Sequence, residues 1–435
     1  MNTGFPFRGG YWNNGSNAGL GALYLSSSRS YVYSSIGFRP ALDTARSNHL
    51  KGGCQCVLEK DAVTSAIAET KNKAPDASGA CSFEMIYSFE NLLSAAYSCR
   101  KGKTTANASM QFFANLEENI IALQNELIWD EYTISPYHHF YVFEPKRRLI
   151  SAPNFRDRVV HRAIINIIES KIDAMFINDS YACRKGKGTH SGASRAQQMI
   201  RKASKKGRVY ALKADIHHYF SSINHATLKL LVSRKVACEK TTLLLFRIID
   251  ESPTDQVGVG IPLGNLTSQL FANIYLNELD RFVKTKLKAK NYVRYMDDFV
   301  IIHNSKKQLH DWRQCIELFL AEELELKTNS KTQVFPISKS NGRALDFLGY
   351  RIYQSHRLLR KSSVKRIKSK LKKFHKKYRD GTIEQKAITQ AITSWVAHAN
   401  HADTFHLRTH LFKQTFKRGS NNAVHTQRQN TQRHI

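Results

Sequence analysis

Acidic residues are scarce in this chain. Only 35 Asp and Glu stand against 66 Lys and Arg in 435 residues, giving a formal charge of +31 and a pI near 9.9. A surplus that large points to a polyanionic partner, and nucleic acid is the commonest one. Long apolar runs are lacking as well. None approaches the ~20 residues of a membrane-spanning helix, and no amphipathic anchor offers a lipid surface as the reason for the charge. The opening "MNTGFPFRGGYW" has no charged-then-apolar signal pattern, so a cytoplasmic protein is expected. The seven cysteines are irregularly spaced and odd in number, which argues against a disulfide framework and reads as reduced thiols. Cys54 and Cys56 lie close together, but no second pair or histidine cluster completes a zinc site. No internal repeat is evident. The rest, 42% hydrophobic and 23% charged, is ordinary for a globular protein of two or three domains.

Residues 1–42 are rich in Gly, Ser, Asn and Tyr and have almost no helical periodicity, and residues 43–80 read as a polar linker. Apolar residues then recur every three or four positions over 83–99 and 110–128, which predicts helices. "HHFYVFEPKRRLISAP" (138–153) reads as two strands around a turn at Glu144–Arg147, and 158–176 as a helix. "GRVYALKADIHHYFSSIN" (207–224) reads as a strand entering a turn, with a helix from about 225. Residues 266–287 read as a long amphipathic helix, 291–304 as strand–turn–strand, 309–326 as a helix and "ALDFLGYRIY" (344–353) as a strand. From 356 the chain turns basic and helical to about 415, ending in a flexible tail.

"NYVRYMDDFVIIHN" (291–304) sets Asp297 and Asp298 side by side in an apolar, aromatic run. Strands are poor in carboxylates, and an unpaired buried charge is costly. Neighbours on a regular strand point to opposite faces, so the two acids share one site only where the strand breaks, as at a hairpin tip. A third carboxylate, Asp215, ends another apolar strand, "VYALKAD". Three carboxylates at neighbouring strand ends suit hard divalent cations, whose ligands are oxygens. A pair of Mg²⁺ ions is the clamp used for in-line phosphoryl displacement. The competing reading is an exposed acidic turn.

"YMDD" between apolar strands resembles the signature of reverse transcriptases. Other blocks follow in that family's order: "RRLISAPNFRDRVVHRAI" (147–164), "DSYACRKGKGTH" (179–190), "LKADIHHYFSSIN" (212–224), "GIPLGNLTSQLFANIYLNELD" (260–280), "LELKTNSKTQVFPI" (324–337) and "LDFLGYRIY" (345–353). The first looks like the fingers segment of the group II intron and retroelement branch. The resemblance implies an α+β right-hand polymerase fold, with fingers and an antiparallel palm sheet over 81–355 and a helical thumb over 356–415. It implies Asp215, Asp297 and Asp298 as ligands of two Mg²⁺ (or Mn²⁺) ions, and Lys331 as the acid that protonates the leaving pyrophosphate. Lys146 and Arg148 match the grip on the incoming triphosphate, a task suited to ammonium and guanidinium groups; a solvated turn is the alternative. Phe220 falls where the family keeps an aromatic beneath the nucleotide sugar, against the 2′-OH of ribonucleotides; the alternative, core packing, suits Tyr219 better. Gly349 and Tyr350 match positions near the primer terminus. The segment 356–379 carries about a dozen Lys and Arg and no acid, with an apolar stripe of Leu358, Val364, Ile367, Leu371, Phe374 and Tyr378. It looks like a thumb gripping template and primer through phosphates, and Lys365, Arg366, Lys372 and Lys373 are candidate contacts.

One block narrows the resemblance. Most relatives read "QGxxxSP" where this chain has Leu263-Gly264-Asn265-Leu266-Thr267-Ser268-Gln269. The "LGxxxSQ" form is similar to the enzymes of diversity-generating retroelements, which copy a template-repeat RNA into cDNA while misincorporating at adenines. In the family this block contacts the nascent base pair, so Leu263, Gly264 and Gln269 are expected at the nucleotide and in fidelity. Residues 7–42, "FRGGYWNNGSNAGLGALYLSSSRSYVYSSIGFRPAL", resemble the end of the formylglycine-generating-enzyme-type C-type lectin domain carried by diversified targets. Tyr24, Ser26, Ser27, Tyr31, Tyr33 and Ser34 stand where Asn is frequent in related segments, as changes at the first or second adenine of an AAY codon would produce; the alternative is an ordinary Tyr/Ser-rich loop alike by descent alone. Some forty residues are too few to close a lectin fold. The resemblance also implies a small, basic, oligomeric accessory protein. The rival readings are a group II intron maturase, a retron or defence polymerase of ordinary fidelity, an RNA-dependent RNA polymerase, a lectin-like display fragment and a non-catalytic RNA-binding protein.

Overall fold

The computed structural model describes residues 82–413 apart from 103–105, 144–146, 339 and 341, and also residues 416 and 417. The lectin-like fragment expected at 1–42, the linker at 43–80, most of the tail, the Cys54–Cys56 pair and Lys146 lie outside the described residues.

Where two helices were expected over 83–99 and 110–128, the chain forms α1 (Ser82–Tyr87), α2 (Phe89–Arg100), α3 (Asn107–Ala114) and α4 (Leu116–Ile128). The first break falls at Ser88, whose hydroxyl caps α2 by accepting from the Asn91 amide, a role that takes the residue out of helical geometry. Asn115 separates α3 from α4. A hairpin of β1 (His138–Val142) and β2 (Arg148–Ala152) follows as read, then α5 (Phe155–Ala174), which buries Val160, Ile164, Ile168 and Ile172 at helical spacing.

Next come α6 (Thr189–Ser204), β3 (Tyr210–Asp215), a short 3₁₀ turn at Tyr219–Ser222, α7 (His225–Ser233) and α8 (Glu239–Asp250). The chain continues through α9 (Leu266–Arg281), β4 (Tyr292–Tyr295), β5 (Asp298–His303), α10 (Lys306–Glu323) and β6 (Gln333–Pro336). The four strands form one antiparallel sheet of order β4-β5-β3-β6. Both faces are covered, and the strand period of two divides the side chains between them. Leu212, Ala214, Phe299 and Ile301 pack into one core with α9 and α10, whereas Ala211, Val300, Ile302 and Phe335 join a second core with Met199 and Ile200 of α6. Helix α9 departs from the amphipathic reading. Phe271, Ile274, Tyr275 and Leu279 are buried, but so are Thr267, Asn273, Asn277 and Asp280. Three of these polar residues face protein partners: Thr267 meets His161, the Asn273 amide donates to the Ala182 carbonyl, and Asp280 accepts from Arg294.

The stretch read as one strand over 344–353 is two, β7 (Leu345–Phe347) and β8 (Tyr350–Ile352), turned about Leu348 and Gly349 at φ 51° and 86°. A third strand, β9 (Arg357–Leu359), pairs with β8 where helix was expected from 356. Helices α11 (Lys361–Arg379), α12 (Gln385–Ala399) and α13 (Phe405–Leu411) follow. Ile367 and Leu371 seat α11. Among the described residues no helix is long and apolar enough to cross a membrane.

Candidate active site

Pairing of Tyr295 with Asp298 leaves Met296 and Asp297 as a two-residue turn between β4 and β5. Met296 adopts φ 55°, the left-handed value such turns need and that residues other than glycine seldom take. The turn resolves the problem of adjacent acids. Asp298 opens β5 directly opposite Asp215, the last residue of β3, while Asp297 occupies the tip and accepts from the Ile216 amide through its carbonyl at 3.3 Å. All three carboxylates therefore gather at one end of the sheet.

They repel one another there. Burial, then the Asp215 charge, pushes the Asp297 carboxyl up to about 6, with Arg148 and Arg294 pulling it back. Burial raises Asp298 to about 7; Lys213 opposes the rise, and Asp215 and Asp297 add to it. The Lys213 ammonium lies 3.5 Å from Asp298 Oδ2 and donates to the Asp346 carbonyl at 2.8 Å. Asp298 Oδ1 is buried without a hydrogen-bond partner. Among the described residues no group of three or more His, Cys, Asp or Glu is arranged to hold a metal ion as it stands. The donor set nevertheless fits a hard divalent cation in its chemistry: oxygen ligands, like charges held together, and one orphaned oxygen.

The β1–β2 hairpin meets this end of the sheet. Arg148 opens β2, and its charge is felt at Asp297. Ser151 donates its amide to the Leu263 carbonyl at 3.0 Å, so β2 and the "LGN" loop are stitched together. Gly264 sits at φ 130°, and a Cβ there would lie 2.7 Å from the Ser151 carbonyl oxygen. Phe220 is half-exposed in the 3₁₀ turn, edge-on to Tyr219 at 5.6 Å. Tyr219 is buried, and its hydroxyl donates to the Ala272 carbonyl.

Residues 144–352 match the reverse transcriptase (RNA-dependent DNA polymerase) family. That stretch is a reverse transcriptase domain. The chain is 25% identical over 291 residues to YkfC of Escherichia coli K12, covering 58% of this chain and 74% of YkfC. It is 25% identical over 288 residues to LtrA, a group II intron-encoded protein of Lactococcus lactis, covering 62% of this chain but only 47% of that protein. To the retron Ec73 reverse transcriptase of Escherichia coli it is 24% identical over 284 residues, covering 62% of this chain and 83% of the relative. The chain thus spans just under half the length of LtrA. The domain is an RNA-directed DNA polymerase, a nucleotidyltransferase, and its family uses divalent metal ions.

Within the reverse transcriptase domain the other candidates divide. Lys331 is exposed in the loop before β6, close in sequence to Asn329, whose amide donates to the Asp215 carbonyl at 2.6 Å. The Gly349 carbonyl accepts from the Arg360 amide at 3.0 Å, and a Cβ added to Gly349 would meet only His398, at 4.0 Å. Tyr350 departs from the primer-facing expectation. The residue is fully buried, and its hydroxyl meets His190 Nδ1 at 2.7 Å and the His398 carbonyl at 3.3 Å, because its strand carries it inward between α6 and α12. Gln269 is exposed in the first turn of α9. It lines a small cavity with Glu169, Asp173, Phe176 and Cys183, and no aspartate of the hairpin site lines it. Beyond the domain, Lys365, Arg366, Lys372 and Lys373 are exposed on α11. The sequence reading missed Arg294 and Lys213. Each is a cation two or three residues ahead of a candidate aspartate in an apolar run, and that spacing was the available signal.

Proposed function

We propose that the chain copies an RNA template into DNA from a primer 3′-OH, with Asp215, Asp297 and Asp298 holding two Mg²⁺ ions. The observation that carries this reading is the gathering of three carboxylates, two of them with raised affinity for protons, around a strained turn at the end of the sheet. Bound there, the metals would neutralise the carboxylates and polarise the reacting phosphate. The protein's own contribution is positioning and charge. Arg148, with Lys146 before it, grips the triphosphate beside Asp297. Phe220 offers a ring edge against a 2′-OH. Lys331 stands at the same sheet end as a proton donor for pyrophosphate. Gly349 flanks the primer terminus, and the α11 cations hold backbone phosphates.

The finer reading is mutagenic copying of a template-repeat RNA for protein diversification. It is supported by Leu263, an apolar residue placed where the family usually has Gln, in the loop tied to the Arg148 strand. Losing a polar contact there weakens base discrimination, whose margin is small. The preference for adenine errors, a basic accessory partner and the lectin-like origin of residues 1–42 follow from the resemblance. Similarity to LtrA and to the retron enzyme favours a second reading, a reverse transcriptase of ordinary fidelity.

Primer extension with the full chain tests both, using an RNA template containing all four bases, Mg²⁺, dNTPs and an Asp297→Asn control. Asp297-dependent cDNA with errors concentrated opposite adenine supports the mutagenic reading. Accurate cDNA supports the second. Absence of cDNA in every primed format, with and without a co-encoded basic protein, refutes both.

A further inference from the structure

Arg294 carries a full charge into the protein interior. It has no exposed surface and is the largest fully buried side chain among the described residues. Its guanidinium is bidentate to Asp280 of α9, Nε to Oδ1 at 2.7 Å and Nη2 to Oδ2 at 2.6 Å. The Tyr292 hydroxyl donates to the same Oδ1 at 2.7 Å. The remaining nitrogen, Nη1, reaches Asn273 Oδ1 at 3.3 Å and the carbonyl of Met296 at 2.9 Å. The main chain is pinned as well: Arg294 donates its amide to the Asp179 carbonyl and accepts from the Tyr181 amide, both at 3.0 Å.

An ion pair this deep is a poor source of stability, because desolvation offsets most of the attraction and apolar replacements often fold as well or better. Its connections suggest a different use. The Met296 carbonyl belongs to the peptide that links the left-handed turn residue to Asp297. A peptide is planar, so fixing that carbonyl fixes the Asp297 amide and the direction in which the Asp297 Cα leaves the turn. Left-handed geometry at a non-glycine residue persists only when its surroundings enforce it, and Nη1 is a rigid donor whose guanidinium is itself anchored to α9 through Asp280.

We propose that Arg294 is a positioning residue, which clamps the Met296–Asp297 peptide to α9 so that the Asp297 carboxylate is held against Asp215. The proposal rests on the polymerase reading of this site. A lysine could keep the charge opposite Asp280, but a single ammonium cannot serve both Asp280 oxygens and the Met296 carbonyl.

The test uses the full chain and two variants, Arg294→Lys and the apolar triple Arg294→Met/Asp280→Leu/Tyr292→Phe. Melting temperature, primer–template Kd, dNTP KM and kcat are measured, together with hydrogen exchange of the 292–303 hairpin. The triple is expected to melt within a few degrees of the parent, yet lose about 100-fold in kcat, the scale of a small misplacement of a reacting group. Arg294→Lys should lose about tenfold. Kd and KM should stay within about threefold, and hairpin exchange should rise at least tenfold while β3 is unchanged. A folded variant of either kind with parental kcat and parental exchange overturns the proposal. So does a kcat loss that merely follows the folded fraction, or failure of both variants to fold, since either makes Arg294 a folding residue. A parent chain that makes no cDNA refutes the polymerase reading instead, and hairpin exchange still decides the clamp.

Discussion

Replacing Asp297 by Asn should abolish activity and make the metal-free protein more stable. The sign follows from the direction of the Asp297 shift. Its carboxyl is raised from the ordinary 3.8 to about 6, by burial and then by Asp215. A group whose folded pKa exceeds its unfolded one binds more protons when folded, so stability is full below about pH 4 and is lost as pH rises through 6. The shift is about two units, and at ~1.4 kcal/mol per unit the ionised carboxylate costs roughly 3 kcal/mol. Asp215 and Asp298 share the repulsion, so a gain of about 1–3 kcal/mol is expected for Asp297→Asn at pH 8, equivalent to a few degrees in Tm. Thermal melts in EDTA between pH 4 and 8 measure it, with primer extension alongside. The variant should melt higher at pH 8 and match the parent at pH 4. Mg²⁺ should raise the parent's Tm at pH 8 by more than the variant's, since loss of one of three carboxylates weakens the ligand-linked term. A variant that melts at or below the parent at pH 8, or whose advantage persists at pH 4, refutes the idea that burial and the neighbouring Asp215 charge make the ionised Asp297 costly here.

Gly264→Ala places a methyl 2.7 Å from the Ser151 carbonyl at a φ that L-residues avoid; β2 must retreat and carry Arg148 with it. We expect KM for dNTP to rise several-fold and stability to fall by about 1–3 kcal/mol, read by dNTP titration and thermal melts. If the mutagenic reading holds, Leu263→Gln, which puts a polar side chain in the loop bonded to Ser151, lowers the errors opposite adenine counted by sequencing the cDNA. Replacing Lys365, Arg366, Lys372 and Lys373 by Ala removes exposed charges from α11. The slope of log Kd against log salt should flatten by about 0.9 for each duplex phosphate that the helix no longer neutralises, measured by anisotropy with labelled primer–template.

The hairpin site was legible because carboxylates contradict an apolar strand, and the contradiction has few solutions; a tip at Asp297 is one, and the register of Tyr295 with Asp298 supplies it. What could not be read depended on partners far along the chain. Helix α9 carries Thr267, Asn273 and Asp280 as a surface helix would, and only His161, Ala182 and Arg294 explain why they lie inside. The turn within "LDFLGYRIY" was hidden because Leu348, a residue foreign to turns, takes φ 51°. Basic composition masked β9, since "RLL" reads equally well as the start of a helix until β8 pairs with it. Tyr350 matched its motif by position, yet its burial against His190 and His398 comes from the packing of α6 and α12, which no local pattern encodes.

Among the described residues, carboxylates with oxygens shielded from water are treated in two ways, and the contrast bears on the functional argument. Asp280 is buried with both oxygens bonded to Arg294. Asp179 is buried between Arg195 and Lys284. Asp157 is buried with the Tyr132 hydroxyl on one oxygen and the Ser135 amide on the other. These three follow the rule that a buried carboxylate is bonded to donors supplied by the protein. At the β4–β5 tip the rule is relaxed. Lys213 approaches Asp298 on one oxygen only and the other oxygen is orphaned; burial raises proton affinity at Asp157 as well, but at Asp297 and Asp298 neighbouring carboxylates add to the rise. A chain with 66 basic residues does not lack the means to pair these acids. Among the described residues, a carboxylate cluster left short of positive charge at the β4–β5 tip is what the proposed metal-dependent reading requires.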